Sequence, residues 1–347
     1  MAALSAYLIP PGLAGKKTAN LGDGFIVRAI ERELGGPFAP ARVFSPRVTP
    51  DENAKRTMRE SGAVIVAGAN QLNDNYTIWP GLTPEEFQTA SWRFVPFGVG
   101  IHGEAGFNDR MSETTKRILE VMHERIAYSS WRCPRTVEYL SAALPHLREQ
   151  FLMTGCAVGY GPTLLEGHIF HQDEESVAVT ATERRDFWAR ESALIDAAAR
   201  RFPRARKYFV VHQNFSPPHW SERWGHLWRR GDPALLSDRV AGLRAYAKAR
   251  GFQIVIPADP DACIRFYERV DVHVGTRLHA HLLFLSRNKR SWLVPVDGRS
   301  GGMSETLGFP LPAVADLSRH WDFDFEIVRR NARRVYQVMH KFTESLK

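Results

Sequence analysis

The chain is poor in cysteine: its 347 residues hold three, Cys133, Cys156 and Cys263. An odd number at wide spacings builds neither a disulfide framework nor a zinc site, which points to a reducing compartment. No apolar run approaches the ~20 residues of a membrane span. The stretch from Met1 to Gly15 is mildly apolar, lacks a basic segment ahead of its apolar part, and leads into a first strand. It therefore reads as mature protein, and a cytoplasmic location is expected. Negative charge is also short: 38 Asp and Glu face 46 Lys and Arg, for a net charge of +8. That excess favours nucleic acid, acidic polysaccharide, phosphorylated metabolites or an anionic membrane face as partners. No nucleic-acid motif supports the first of these. An arginine-rich composition alone would give the same excess. Internal repeats and low-complexity tracts are absent too.

What is present is more than one hydrophobic core usually supports, so two domains are expected. In the first half, Leu4–Ile9, Ala41–Ser45, Ala63–Ala67, Phe94–Gly98, Arg125–Ser129 and Phe151–Thr154 read as strands. Helical patterns Gly22–Leu34, Asp51–Glu60, Ser112–Glu124 and Cys133–Leu144 lie among them. After a polar break at Gly161–Glu175 the rhythm restarts. Strands are expected at Ser176–Thr182, Lys207–His212, Phe252–Pro257, Val272–Gly275 and Ser291–Val296. Helices are expected at Arg185–Arg200, Asp238–Ala249, Asp259–Arg269 and Arg277–Ser286. Such alternation means parallel sheets covered on both faces. The expected architecture is α/β, two Rossmann-like doubly wound lobes facing a cleft. Residues 1–160 form one lobe, 161–320 the other, and the amphipathic run Phe323–Phe342 within 321–347 packs back on them. Ligands of such sheets sit beyond the carboxyl ends of the strands, so motifs there carry the most weight.

One such motif is Gly275-Thr276-Arg277-Leu278-His279, where a buried strand runs into a helix. The first amides of that helix lack intrahelical partners, and its dipole adds positive potential. Arg277 adds a charge with forked geometry for carboxylate or phosphate, and His279 can donate a hydrogen bond or move a proton. Together they make an anion site. The plain structural alternative is an Arg paired with a neighbouring Asp and a His tucked into the helix. His281 faces elsewhere and reads as structural.

Gly275-Thr276-Arg277-Leu278-His279-Ala280, followed by strand Trp292–Val296, Asp297-Gly298-Arg299-Ser300 and Glu305-Thr306-Leu307-Gly308, resembles the closing segment of the polysaccharide pyruvyl transferases. Asn20-Leu21-Gly22-Asp23 is similar to that family's Asn-x-Gly-Asp. Ser130-Trp131-Arg132-Cys133 with Thr136 is similar to its Ser-x-Arg-Asp-x-x-Ser, and Thr154-Gly155-Cys156 to a Thr-Gly-Cys-Pro. The chain departs from the pattern at Ala67-Gly68-Ala69-Asn70-Gln71, where the family carries three glycines, and at Cys133 and Ala157.

The resemblance implies transfer of the pyruvate unit of phosphoenolpyruvate onto two hydroxyls of a sugar as a cyclic ketal. The acceptor would be a cell-surface polysaccharide, exopolysaccharide or lipid-linked precursor. It implies phosphoenolpyruvate as co-substrate, no tightly bound cofactor and no required metal. A lipid-linked acceptor would allow peripheral association with the cytoplasmic membrane face. Such chemistry needs cations for a phosphate and a carboxylate, an acid for the methylene carbon and a base for the attacking hydroxyl.

Arg277 and His279 would grip the donor, His279 also giving the proton, with Leu278 between them. Arg132 would close on the same anion from the other lobe. Arg184, or the adjacent Arg185 in its place, and His212 follow strand ends and would line the cleft; Arg132 is equally an ordinary surface residue, and His212 equally the start of a loop that caps the next element. Asp23 would be the base, or only a helix cap. Asn20, Asn70 and His102 would read sugar hydroxyls, and Glu305, near the start of a short helix, would bind sugar or favour the dipole. Trp220, Trp224 and Trp228 recur at helical spacing, as a packed stripe or a sugar- or membrane-facing one. Two alternatives stand beside this reading. One is a nucleotide-sugar glycosyltransferase of the same shape, though no ribose-binding Glu is evident at a strand end. The other is a non-catalytic polysaccharide-binding or assembly protein, against which Arg277, His279, Arg132 and Asp23 argue.

Overall fold

A computed structural model describes residues 5–9, 20–101, 111–167, 169–182, 187–212 and 239–347. His102, Arg184 and the Trp220, Trp224 and Trp228 stripe lie outside the described residues.

Two parallel sheets organise the molecule. The first has the order β2-β1-β3-β5, with β1 Ser5–Leu8, β2 Val43–Phe44, β3 Ala63–Ala67 and β5 Phe94–Phe97. Small parallel ribbons extend it: β4 Asn70–Leu72 with β6 Gly100–Ile101, and β7 Ser129–Trp131 with β8 Phe151–Met153. The second sheet has the order β11-β10-β9-β12-β13, with β9 Ser176–Thr180, β10 Arg206–Val210, β11 Gln253–Val255, β12 Val272–Gly275 and β13 Ser291–Leu293. Taken in chain order, that is 3-2-1-4-5, the doubly wound arrangement whose order reverses between β9 and β12. The first sheet reverses between β1 and β3. Among the described residues every strand pair is parallel, as the βα rhythm requires.

The helices are α1 Leu21–Glu33, α2 Glu52–Arg59, α3 Pro84–Ala90, α4 Glu113–His123, α5 Pro134–Ala143, α6 Pro162–Leu165, α7 Trp188–Arg201, α8 Arg239–Ala249, α9 Pro260–Glu268, α10 Leu278–Leu285, α11 Gly298–Leu307 and α12 Glu326–Glu344. Local chemistry starts several of them. Side chains of Asn20, Asp51, Thr83, Ser112, Asp259 and Asp297 each accept from an amide of the first turn, the usual work of an N-cap. Helix α10 is buried along its whole length, as a helix apolar on nearly every face must be. In α12, Val328, Ala332, Val335, Met339 and Phe342 form a buried stripe, and Phe342 meets Phe97 of the first lobe edge-on. The terminal helix is thus shared by both lobes. Among the described residues no helix is long and apolar enough to cross a membrane.

Two sequence expectations need correction. The strand expected at Arg125–Ser129 is shifted to Ser129–Trp131, because Arg125 is tied to the carbonyls of Phe87, Gln88 and Trp92 and leaves the sheet. Glu305 does not lie near the start of its helix: α11 already begins at Gly298. The periodicity gives no sign of the short helix α3, of α6 inside the expected break Gly161–Glu175, or of the β4–β6 ribbon.

Candidate functional site

The two reversal points face each other. At the C-terminal one, Gly275 lies against Thr180; a Cβ at Gly275 would collide with that side chain. Thr276 N–H donates to the Thr180 carbonyl at 3.0 Å. Arg277, at the N-cap position of α10, sends Nε to the Ala181 carbonyl at 2.7 Å and Nη2 to the Thr182 carbonyl at 3.1 Å. Thr182 is itself anchored, its N–H and hydroxyl both donating to buried Glu191. Arg277 therefore ties the ends of β9 and β12 together. Its charge still reaches Asp23, but two of its donors are spent on the backbone.

At the N-terminal reversal point, α1 opens with Asn20 accepting from Gly22 N–H at 3.1 Å. Leu21 N–H donates across the lobes to the His212 carbonyl at 3.1 Å. Gly22 is the meeting point: a Cβ there would lie 2.9 Å from His279 Nδ1 and 3.3 Å from Asn20 Oδ1. Only glycine lets the imidazole of α10 rest on the first turn of α1. Asp23, half-buried in that turn, has its carboxyl pushed up by burial, against the charges of Arg299, Arg47 and Arg277.

His279 is 6% exposed, and its Nε2 has no hydrogen-bond partner among the described residues. Burial first, then the charges of Arg299 and Arg132, bring its pKa down to about 3. The ring is neutral at pH 7, a hydrogen-bond donor or acceptor according to tautomer. Arg132, 3% exposed, stands just ahead of α5, with Nη1 donating to Asn70 Oδ1 and a buried Nε that has no acceptor among the described residues. Burial lowers its pKa. Thr276 Oγ1, in the turn before α10, is likewise buried and unpartnered among the described residues.

Arg299 is the residue that sequence reasoning missed. It sits in the first turn of α11, half-exposed, forked onto Asp297 with bonds of 2.5–2.9 Å. Burial works against its charge, but the bonds and charge of Asp297, with Asp23 adding, outweigh it and raise its pKa. Its signal was available, a cation just past a strand end, in the Asp297-Gly298-Arg299-Ser300 segment. Close packing brings α11 in: a Cβ at Gly302 would lie 2.7 Å from Cys133 Sγ.

The site thus gathers Asn20, Asp23, Asn70 and Arg132 from one lobe with Leu278, His279 and Arg299 from the other. Three helix starts, those of α1, α10 and α11, are joined to it by these contacts. Other expected residues are placed differently. His212 is packed core: its Nε2 bonds Tyr267 Oη at 2.5 Å and its ring meets Phe25 edge-on. Glu305 is forked onto Arg135 of α5, an ion pair between the lobes. Asn70 binds Arg132. His281, expected to be structural, is packed as such, bonding Ser291 Oγ at 2.7 Å and resting on Phe309. Among the described residues no group of three or more His, Cys, Asp or Glu is placed to hold a metal ion. An array of two arginines, a neutral imidazole and helix amides is suited to a small ligand with more than one anionic group.

The sequence model of the family described as polysaccharide pyruvyl transferase matches residues 20–298. No curated protein matches the chain. Among solved structures, HepE of Anabaena in complex with UDP is similar at 10% identity over 98% of this chain and 97% of that one, with a TM-score of 0.43. The wall teichoic acid polymerase TagF is similar at 11% identity over 98% of this chain and 84% of that one, with a TM-score of 0.44. The accessory secretory protein 1, 2 and 3 structure of Streptococcus pneumoniae is similar at 9% identity over 85% of this chain, with a TM-score of 0.43; the chain covers 49% of that one.

Proposed function

The chain belongs to the polysaccharide pyruvyl transferase family, and from that premise we propose that it moves the pyruvate unit of phosphoenolpyruvate onto two hydroxyls of a sugar in a surface polysaccharide, exopolysaccharide or lipid-linked precursor. One observation carries the donor half of this reading. Two arginines from opposite lobes act on a single buried imidazole whose Nε2 is unpartnered among the described residues. Phosphoenolpyruvate carries two anionic groups on a three-carbon frame; the junction offers Arg132, bonded to a neutral amide, and Arg299, which shares its charge between Asp297 and the ligand.

Arg132 and Arg299 bind the phosphate and carboxylate, assisted by the first amides of α10 and α11. His279, neutral and with Nε2 protonated, donates to the donor. The repulsion that depresses its pKa comes partly from those two arginines, so a bound anion between them offsets it and lets the ring take up a proton. A proton then adds to the methylene carbon, and the electron pair of the double bond forms the new C–H bond. The resulting oxocarbenium-like centre is attacked by the first sugar hydroxyl, whose proton passes to Asp23. Phosphate leaves with the electrons of its bond to that carbon, and the second hydroxyl closes the ketal with loss of its proton. Burial favours the protonated form of Asp23 and the arginine charges oppose it, a balance suited to a group that must accept a proton. Arg277 holds β9 and β12 in place, so its contribution is to position the first turn of α10.

The test is phosphate release from phosphoenolpyruvate in the presence of a glycan panel. Acceptor-dependent release that is abolished in His279→Asn supports the reading. Release that His279→Asn leaves unchanged, or turnover of nucleotide-sugars alone, refutes it.

A further inference from the structure

The strands of the β4–β6 ribbon are only three and two residues long, too short to be stable alone. Its register sets Asn70 directly opposite Gly100, and Gly100 N–H donates to the Ala69 carbonyl at 2.9 Å. The guanidinium of Arg132 lies across this pair. Nη1 donates to Asn70 Oδ1, and the planar group fills the space over Gly100, where a Cβ would collide with Cζ and Nη2. The backbone of Arg132 is fixed as well, its N–H donating to the Val99 carbonyl at 3.0 Å.

A guanidinium buried this deeply is ordinarily matched to a carboxylate, because a buried unpaired charge is costly. Here the side chain that bonds it is a neutral amide. Asp297, whose charge reaches Arg132, is forked onto Arg299. We propose that Asn70 and Gly100 form a positioning slot that holds Arg132 in direction without neutralising it, so that its charge is kept for an anionic ligand beside His279. The inference rests on the reading of the junction as a phosphoenolpyruvate site and goes further, since it says what keeps that site cationic. A carboxylate at position 70 would hold the guanidinium as firmly but cancel its charge. A side chain at position 100 would push the guanidinium away and leave its charge intact. The two substitutions therefore separate charge from position.

The experiment titrates phosphoenolpyruvate, and separately inorganic phosphate, into the full chain by calorimetry. Wild type is compared with Asn70→Asp, Asn70→Ala and Gly100→Ala, and each unliganded Tm is recorded. Asn70→Asp is expected to match or exceed the wild-type Tm while its affinity for both anions falls at least about tenfold, the effect of pairing off one buried charge. Asn70→Ala and Gly100→Ala are expected to lower affinity with no gain in Tm. A structural role alone would move Tm and affinity together, so opposite movement in Asn70→Asp is the signature. Asn70→Asp that binds both anions within twofold of wild type overturns the proposal. So does a Tm for Asn70→Asp that falls as far as that of Asn70→Ala. If wild type binds phosphate but not phosphoenolpyruvate, the donor reading fails and the slot is judged on phosphate. If wild type binds neither, both fail.

Discussion

Lowering the pH from 7.5 to 5 should remove most of the stability of this fold. Five histidines are buried with depressed pKa values. Burial is the leading cause in each: His123 is brought to about 4, His273 and His279 to about 3, and His212 and His281 well below the usual value. In the unfolded chain each titrates near 6.5. The unfolded state then binds more protons between pH 6.5 and the folded pKa, so stability is complete above pH 6.5 and is lost as pH falls toward 4 and 3. At pH 5 the three with stated values each forfeit about 2 kcal/mol, hence about 6 kcal/mol together. His212 and His281 add to this, and Asp23, with its raised pKa, opposes it as a single group. Since a domain's net stability is about 5–15 kcal/mol, the loss is comparable to the whole. Urea unfolding at pH 7.5, 6 and 5 measures it. The free energy should fall by at least about 4 kcal/mol per pH unit near pH 5, the slope for the three protons of His123, His273 and His279, with His212 and His281 steepening it. In His123→Gln, which lies away from the interlobe site, that slope should drop by about one proton. A free energy constant between pH 7.5 and 5 would refute the view that these rings are held neutral.

Three further predictions concern single residues. Gly22→Ala brings a methyl to 2.9 Å from His279 Nδ1; kcat/KM should fall at least about tenfold by misplacement of the ring, with about 1–3 kcal/mol lost in urea unfolding from the overpacked contact, and wild-type kinetics would contradict the interlobe contact. Arg277→Ala removes two charge-assisted bonds to the carbonyls of Ala181 and Thr182, so urea unfolding should show a loss of about 3 kcal/mol; Arg277→Lys should fail to restore it, because an ammonium cannot reproduce the fork. Glu305→Ala breaks the pair with Arg135, whose side chains are 43% and 38% exposed, so it should cost at most about 1 kcal/mol and leave phosphoenolpyruvate affinity unchanged; a fivefold weaker affinity would restore Glu305 to the binding site.

Much of this was legible in the sequence, for a reason particular residues illustrate. Asn20, Asp23, Arg132 and His279 each follow a strand end or open a helix, and parallel sheets deliver such positions to one edge. Their convergence could therefore be inferred before any contact was seen. Arg299 was harder. It lies among Gly298, Gly301 and Gly302, a composition that reads as loop, yet these residues begin α11 and permit its close approach to Cys133 and Arg135. Position along the chain also could not separate ligand from strut. Arg277 satisfies every rule for an anion-binding residue, but the carbonyls of Ala181 and Thr182, just past β9, take two of its donors. His212 ends a strand as a cleft residue would, and tertiary packing against Phe25 and Tyr267 turns it inward. Asn70 looked like a reader of sugar hydroxyls because nothing in sequence reveals that Arg132 lies across its ribbon.

The central claim is that Arg132 and Arg299, from opposite lobes, hold phosphoenolpyruvate beside His279. The phosphorus resonance of phosphoenolpyruvate, followed by NMR as protein is added, tests it most directly. The account predicts a saturable shift or broadening with the wild-type chain that disappears in the Arg132→Ala, Arg299→Ala double variant, with the double variant still folded by circular dichroism. A resonance that responds equally to the folded double variant, or that never responds to the wild type, would contradict it.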